Sequence, residues 1–390
     1  MGSDVYAWLE ERLATLRRAG WQRQSLTLSG RPGPVVLAGS QRLVNFASND
    51  YLGLAADPRL IAAATEALNC WGTGGTGSRL LSGERPVHTE LEAALAQWKQ
   101  TEAALVFSSG YAANVGTVAA LVGQRDLVLM DAYSHASLRK GAQLSGATTL
   151  TYDHLDFTHL EKLLEHHRCT HRRGLILTDS VFSMDGDVCP LPGLLDLAER
   201  YACMVLVDEA HGTGVFGSQG AGVATSQGCG GRPLIQVGTL SKALGSQGGY
   251  VAGSQTLIDY LRHRASAWVY STSLAPAAAA AALAGVQLAQ SEPQRRQTLW
   301  DRTHHLHQQL QHTFPARLLP SASHILCLKL TNPEQALEIA PQLQAQGILA
   351  AVVRPPTVPT SRIRLSLMAT HRPEHLQALM STLQSVLPQP

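Results

Sequence analysis

"QVGTLSKALGSQGG", residues 236–249, decides how this chain is read. The apolar run that leads into it, Leu234-Ile235-Gln236-Val237, does not alternate, which is the mark of a strand buried on both faces. It ends in Gly238-Thr239-Leu240-Ser241-Lys242 and then enters a glycine-rich loop. A surface lysine needs neither two hydroxyl neighbours nor a loop that lets another group come close. A lysine that bonds covalently to a ligand needs both.

Six further runs surround this one and predict strands over 104–107, 127–130, 148–151, 175–178, 204–208 and 249–252. Helix-sized segments separate most of them, so the seven-stranded sheet is mostly parallel and covered on both faces, an α/β architecture. The runs at 234–237 and 249–252 lie too close together for a helical crossover, so the last strand is expected to be antiparallel. Past residue 285 the pattern changes to a polar helix over 294–312, a strand over 324–330, a helix over 333–346, strands over 349–353 and 362–367, and a helix over 373–387. That succession predicts a smaller α+β C-terminal domain. The expected division is an N-terminal segment, 1–50, packing between the domains, a large domain, 51–285, and a small one, 286–390.

With 390 residues, 45% hydrophobic and 15% charged, the chain is long enough for both cores. A formal net charge of +2 gives no field that draws it to nucleic acid or membrane. Residues 1–21 read as an amphipathic, charged helix without the apolar centre of a secretory leader, and no stretch reaches a membrane-spanning length. The cysteines are scattered with no C-x-x-C pair, which argues against a zinc site or a disulfide framework and for a reducing cytoplasm.

Ligands of open parallel sheets bind at the carboxyl ends of the strands. Those ends carry Ser108-Ser109-Gly110-Tyr111, Asp131 to His135, Asp179 to Gly186, Asp208-Glu209-Ala210-His211 and Thr239 to Lys242. Singly, each has a plain reading: Lys242 a solvated side chain, His135 and Asp208 helix caps, Ser108 and Ser109 caps as well. Together they form the set that pyridoxal phosphate chemistry requires. Lys242 supplies the amine for the aldehyde, and Asp208 keeps the pyridine nitrogen protonated. Ser109, Gly110 and Tyr111 open a helix onto the phosphate, helped by Thr239 and Ser241. His135 stacks on the ring, and His211 donates to the phenolic oxygen.

The stretches "SNDYLGL" (48–54), "TDSVFSMDGD" (178–187), "VDEAHGTGVFG" (207–217) and "GTLSKALGSQGGY" (238–250) resemble the α-oxoamine synthase family, pyridoxal-phosphate-dependent transferases of fold type I. The resemblance runs from about residue 20 to 385 and is supported by "GTGGTGSRLLSGERPVH" and "YSTSLAPA". It implies Lys242 as the Schiff-base lysine and Asp208 as the pyridinium partner. His211 and Ser183 then face the phenolic oxygen, His135 stacks on the ring, and Gly110, Tyr111 and Thr239 hold the phosphate. It implies Ser271 and Thr272 at the phosphate of a neighbouring subunit, and so a homodimer. Arg354 becomes the clamp for the amino-acid carboxylate, Thr357 a substrate-side residue, Asn49 a neighbour of the reacting centre, and Arg23 the acyl entrance. The implied reaction joins L-alanine to a pimeloyl thioester, carried by coenzyme A or an acyl carrier protein, in biotin synthesis. A glycine and acetyl-thioester branch of the family is the alternative.

Four rival readings are weaker. Gly72 to Gly77 fits G-x-G-x-x-G but follows a helical stretch rather than a strand. Histidines 304, 305, 307 and 312 fall on a polar helix with no carboxylate or cysteine to complete a metal site. An aminotransferase shares the fold, whereas an inactive structural subunit is expected to lack Lys242 or Asp208, and both are present.

Overall fold

The run beginning at Leu234 forms a strand over Ile235–Thr239 at the centre of a seven-stranded sheet. This is seen in a computed structural model that describes residues 4–22 and 24–387. The strands are β1 (Val35–Ala38), β2 (Gln41–Asn45), β3 (Ala103–Phe107), β4 (Leu127–Asp131), β5 (Thr148–Tyr152), β6 (Gly174–Asp179), β7 (Cys203–Asp208), β8 (Ile235–Thr239), β9 (Gly249–Gly253), β10 (Ile325–Lys329), β11 (Ile348–Leu349), β12 (Ala351–Val353) and β13 (Arg362–Ser366). The large sheet has the order β3-β9-β8-β7-β6-β4-β5. Its strands from β8 to β5 run parallel, and β9 lies antiparallel to both β8 and β3, as the short connection requires.

Successive residues of the central strands feed two separate cores. Leu127, Leu129, Ile176, Val205 and Val207 meet the helices Phe157–His167 and Leu191–Arg200 on one face. Val128, Met130, Leu175, Leu177, Leu206 and Val237 meet Gly110–Leu121 and Ala136–Ser145 on the other. This two-sided burial is why the runs are apolar throughout rather than alternating. At the edge, β5 exposes Thr148, Thr149 and Thr151, and its β-branched hydroxyl residues suit a strand that is covered on fewer sides. The register sets Asp179 beside Asp208, so Asp131, Asp179, Asp208 and Thr239 all terminate strands at one rim.

Two smaller sheets complete the chain: antiparallel β10-β13-β12, and β1-β2-β11 with β11 parallel to β2. The single strand expected over 349–353 is thus divided, because the chain leaves β2 after Leu349 and joins β13 at Ala351. Residues 44–51 are strapped to the C-terminal part by backbone bonds. Phe46 N donates to Leu349 O at 2.7 Å, Ser366 N to Phe46 O at 2.9 Å, and Ala369 N to Tyr51 O at 2.7 Å. These straps deliver the "SNDYLGL" segment to the same rim. The helix Ala7–Arg18 buries none of its side chains. Among the described residues no helix is long and apolar enough to cross a membrane.

Candidate active site

Lys242 follows β8 in a turn closed by Leu240 N to Gly248 O (3.0 Å) and Gly245 N to Lys242 O (2.9 Å). Gly245 has φ +63°, and a Cβ there would lie 2.6 Å from the Ala55 nitrogen, so glycine lets the lysine loop and the "SNDYLGL" segment touch. Lys242 Nζ lies 2.7 Å from His211 Nε2. Burial pulls the amine down to about 8, Asp208 acts against this, and the Arg364 charge adds to it. His211 lies well below its ordinary range because it is buried and faces Lys242 and Arg364, so the ring is neutral.

Asp208 ends β7 with both carboxylate oxygens engaged: Oδ1 accepts from Ala210 N at 2.9 Å and Oδ2 from Asn114 Nδ2 at 2.6 Å. The other Asn114 proton goes to Ser137 Oγ at 2.9 Å, and that hydroxyl lies 2.7 Å from His135 Nδ1. His135 Nδ1 also accepts from Ser137 N at 3.3 Å. Two donors on Nδ1 assign the proton of the neutral ring to Nε2. Burial lowers His135, with the Lys242 charge adding and Asp208 opposing. The His135 backbone donates to Asp179 Oδ2 at 2.9 Å. Asp179 is pushed far above the carboxylate range by burial first and by the neighbouring Asp208 second.

The helix Gly110–Leu121 starts at the end of β3, with Ser109 Oγ accepting from Ala112 N at 3.0 Å. The N–H groups of Gly110 and Tyr111 precede the first intrahelical bonds. Thr239 Oγ1 faces them and binds Ser241 Oγ (2.7 Å) and Gly248 O (3.0 Å). A Cβ on Gly110 would come 3.2 Å from Thr239 Cβ, so the cradle is narrow. Free N–H groups, a helix N-terminus and two hydroxyls suit a phosphate. Asn114 Oδ1 is buried without a partner in the same neighbourhood. Amine, carboxylate, stacking imidazole and cradle together fit pyridoxal phosphate.

Other expected residues make contacts of their own. Ser183 contributes its carbonyl, which accepts from Arg364 Nε. Thr272 is paired with Ser78, and Ser273 N donates to Gly77 O at 3.0 Å, so the glycine-rich 72–77 loop supports the Ser271–Thr272 segment. That loop follows the helix Pro58–Trp71, which excludes the dinucleotide reading. Arg354 donates to Gly20 O and lines, with Leu13, Trp21 and Thr357, a groove of about 870 Å³. Arg23 lies outside the described residues.

The sequence reading passed over four residues that the structure brings in. Arg364, buried on β13, donates to Asn49 Oδ1 at 3.1 Å and is the guanidinium that faces the Lys242 cluster. Tyr51 OH lies 2.6 Å from His211 Nδ1. Asn114 and Ser137 link Asp208 to His135. Asn114 had a readable signal, an amide inside the otherwise apolar "GYAANVGTVAAL". For Arg364 the signal was a strand, "RIRLS", with two arginines on one face.

A model of the family described as Aminotransferase class I and II matches residues 41–383. Two cyanobacterial relatives carry the provisional name 8-amino-7-oxononanoate synthase. The one from Trichormus variabilis is 60% identical over 98% of this chain and 99% of its own, and that from Nostoc sp. PCC 7120 is 59% identical with the same coverage. Among solved structures, Sphingomonas wittichii serine palmitoyltransferase superposes with a TM-score of 0.91 at 30% identity, covering 98% of both chains. The 8-amino-7-oxononanoate synthase of Francisella tularensis superposes with a TM-score of 0.75 at 26% identity, covering 88% of this chain and 98% of its own. A serine palmitoyltransferase of the same shape was solved with its pyridoxal phosphate internal aldimine. The chain is a pyridoxal-phosphate-dependent enzyme of the acyltransferase type, and it belongs to the α-oxoamine synthases of the class I and II aminotransferase family.

Proposed function

We propose that the enzyme condenses L-alanine with a pimeloyl thioester and releases 8-amino-7-oxononanoate, carbon dioxide and the free thiol, a step of biotin synthesis. The observation that carries the reading is the convergence of Lys242, His211, Asp208 and His135 at one rim, in a chain 60% identical to a relative of that name. Pyridoxal phosphate, when bound, supplies a protonated ring that takes up the charge left at the α carbon of the amino acid. Asp208, fixed by Asn114 and Ala210, faces the ring nitrogen. Gly110, Tyr111, Thr239 and Ser241 hold the phosphate, with Ser271 and Thr272 coming from the second subunit of a homodimer.

Lys242 would hold the aldehyde of the cofactor, and its amine would serve as the base for the α proton. An amine with a value near 8 is unprotonated in about 10% of molecules at pH 7, where an ordinary lysine near 10.4 is so in less than about 0.1%. His135 presents Nε2–H to the face where the thioester carbonyl arrives and donates to its oxygen as charge develops. Arg364 holds the amino-acid carboxylate, because its guanidinium already lies against Asn49 beside the lysine. Arg354 reaches the same carboxylate only after releasing Gly20. Thr357 belongs to the substrate side and Arg23 to the acyl entrance, and the protein works in the cytoplasm.

The test is thiol release by the purified, cofactor-loaded protein, with alanine, glycine and serine each crossed against acetyl, pimeloyl and palmitoyl thioesters. Alanine with the pimeloyl thioester is expected to give the highest kcat/KM. Preference for serine with palmitoyl, or glycine with acetyl, overturns the substrate assignment.

A further inference from the structure

Tyr51 is wholly buried and carries a hydroxyl between two acceptors, His211 Nδ1 at 2.6 Å and Asn49 Oδ1 at 3.0 Å. It has one proton to give. Asn49 Oδ1 is already supplied by Arg364 Nη2 at 3.1 Å. His211 Nδ1 has no other donor, and the groups that face its ring are Lys242, Arg364, His324 and His135. Giving the hydroxyl proton to Nδ1 supplies both of these acceptors, and giving it to Asn49 leaves Nδ1 without a donor.

We propose that Tyr51 is a positioning residue that fixes the tautomer of His211, holding the ring proton on Nε2, where it points at the Lys242 amine and the cofactor. Above pH about 8, where Lys242 is neutral, Nε2–H then donates to its lone pair at 2.7 Å in the free enzyme. With the cofactor in place the same proton is available to its ring oxygen, which rests on the functional reading above. Nothing moves between the two uses, since the Tyr51 ring is pinned edge-on against His324 at 4.0 Å and its backbone carbonyl accepts from Ala369. The opposite tautomer would turn a lone pair toward the cofactor oxygen and a repulsive contact would replace a hydrogen bond.

The experiment is a pH titration of the cofactor absorbance band in substrate-free enzyme, for wild type, Tyr51→Phe, His211→Gln and the double variant. A donor to the ring oxygen favours its charged form, so the midpoint in Tyr51→Phe is expected to rise by about one pH unit, a tenfold change in the proton equilibrium. The Phe substitution is expected to add nothing once His211 is Gln. A midpoint unmoved in Tyr51→Phe, or a shift of the same size in the His211→Gln background, overturns the proposal. In cofactor-free wild type at a pH above about 9, where Lys242 is neutral, the ring-nitrogen NMR signals that vanish in His211→Gln must show Nδ1 unprotonated; a protonated Nδ1 overturns it equally, without any Tyr51 variant. Wild type that acquires no absorbance band from pyridoxal phosphate refutes the functional reading instead.

Discussion

Replacing Asn114 with alanine tests whether the acid at the end of β7 is held in place by the helix beside it. The amide gives one proton to Asp208 Oδ2 at 2.6 Å and the other to Ser137 Oγ at 2.9 Å, both in buried surroundings. A hydrogen bond to a charged group contributes about 1.5–3 kcal/mol and a neutral one about 0.5–1.5 kcal/mol. Against this, Asn114 Oδ1 is buried without a partner, and removing it recovers about 1 kcal/mol or more. The net cost to the cofactor-free protein is therefore about 2 kcal/mol. Cofactor binding carries a cost of similar size. Asp208 keeps only the Ala210 N–H on Oδ1 and is free to turn away from the ring nitrogen. Losing about 1.4–2.8 kcal/mol of that alignment weakens binding about 10- to 100-fold. Spectrophotometric titration of cofactor-free protein with pyridoxal phosphate measures this directly. An affinity within threefold of wild type refutes the argument that Asn114 orients the acid. Asn114→Asp sharpens the test: a second carboxylate against Asp208 forces one of the two to protonate, so its cofactor affinity is expected to depend on pH more steeply than that of Asn114→Ala.

Lys242→Ala is expected to abolish the absorbance band of the lysine-bound cofactor and thiol release together; a variant that keeps both removes the covalent role. Arg364→Ala is expected to lower kcat/KM for the amino acid at least 100-fold while Arg354→Ala costs less, since only Arg364 lies against Asn49 beside Lys242; the reverse order in steady-state kinetics would return the clamp to Arg354. His154 lies 2.9 Å from Asp131 and 3.1 Å from Asp187, and although burial opposes its charge the two carboxylates raise it to about 9. Its folded value stands above the unfolded one, so about 3 kcal/mol of stability is present below pH ~6.5 and is lost as pH rises through about 9. Thermal unfolding of wild type is expected to fall across that window relative to His154→Gln, and parallel curves would show that the pair of ion contacts contributes nothing.

What could be read before the fold was seen, and what could not, follows from how each residue reaches the rim. Asp208, Lys242 and the Gly110 cradle sit at the carboxyl ends of strands that are apolar on both faces, so the local pattern names both the strand and the residue that ends it. The antiparallel direction of β9 was legible for a similar local reason, the shortness of its connection to β8. Asn49, Tyr51 and Arg364 reach the site differently. They arrive because 44–51 is tied to β11 and β13 by backbone bonds that span more than 300 residues of sequence. No periodicity within either segment reports that crossing, and it also explains why the strand expected over 349–353 divides between two sheets. The contrast between Arg354 and Arg364 has the same origin. A guanidinium in a proline-flanked loop looks exposed and available, whereas Arg364 inside β13 looks like a strand residue to be paired. In the fold the loop arginine donates to Gly20 O, and the strand arginine, nearly excluded from solvent, adds to the effect of burial in lowering Lys242. A buried arginine must have a partner. Here its neighbours are the amide of Asn49 and the carbonyl of Ser183, neither of them charged, which is the condition under which a guanidinium remains able to take an incoming carboxylate.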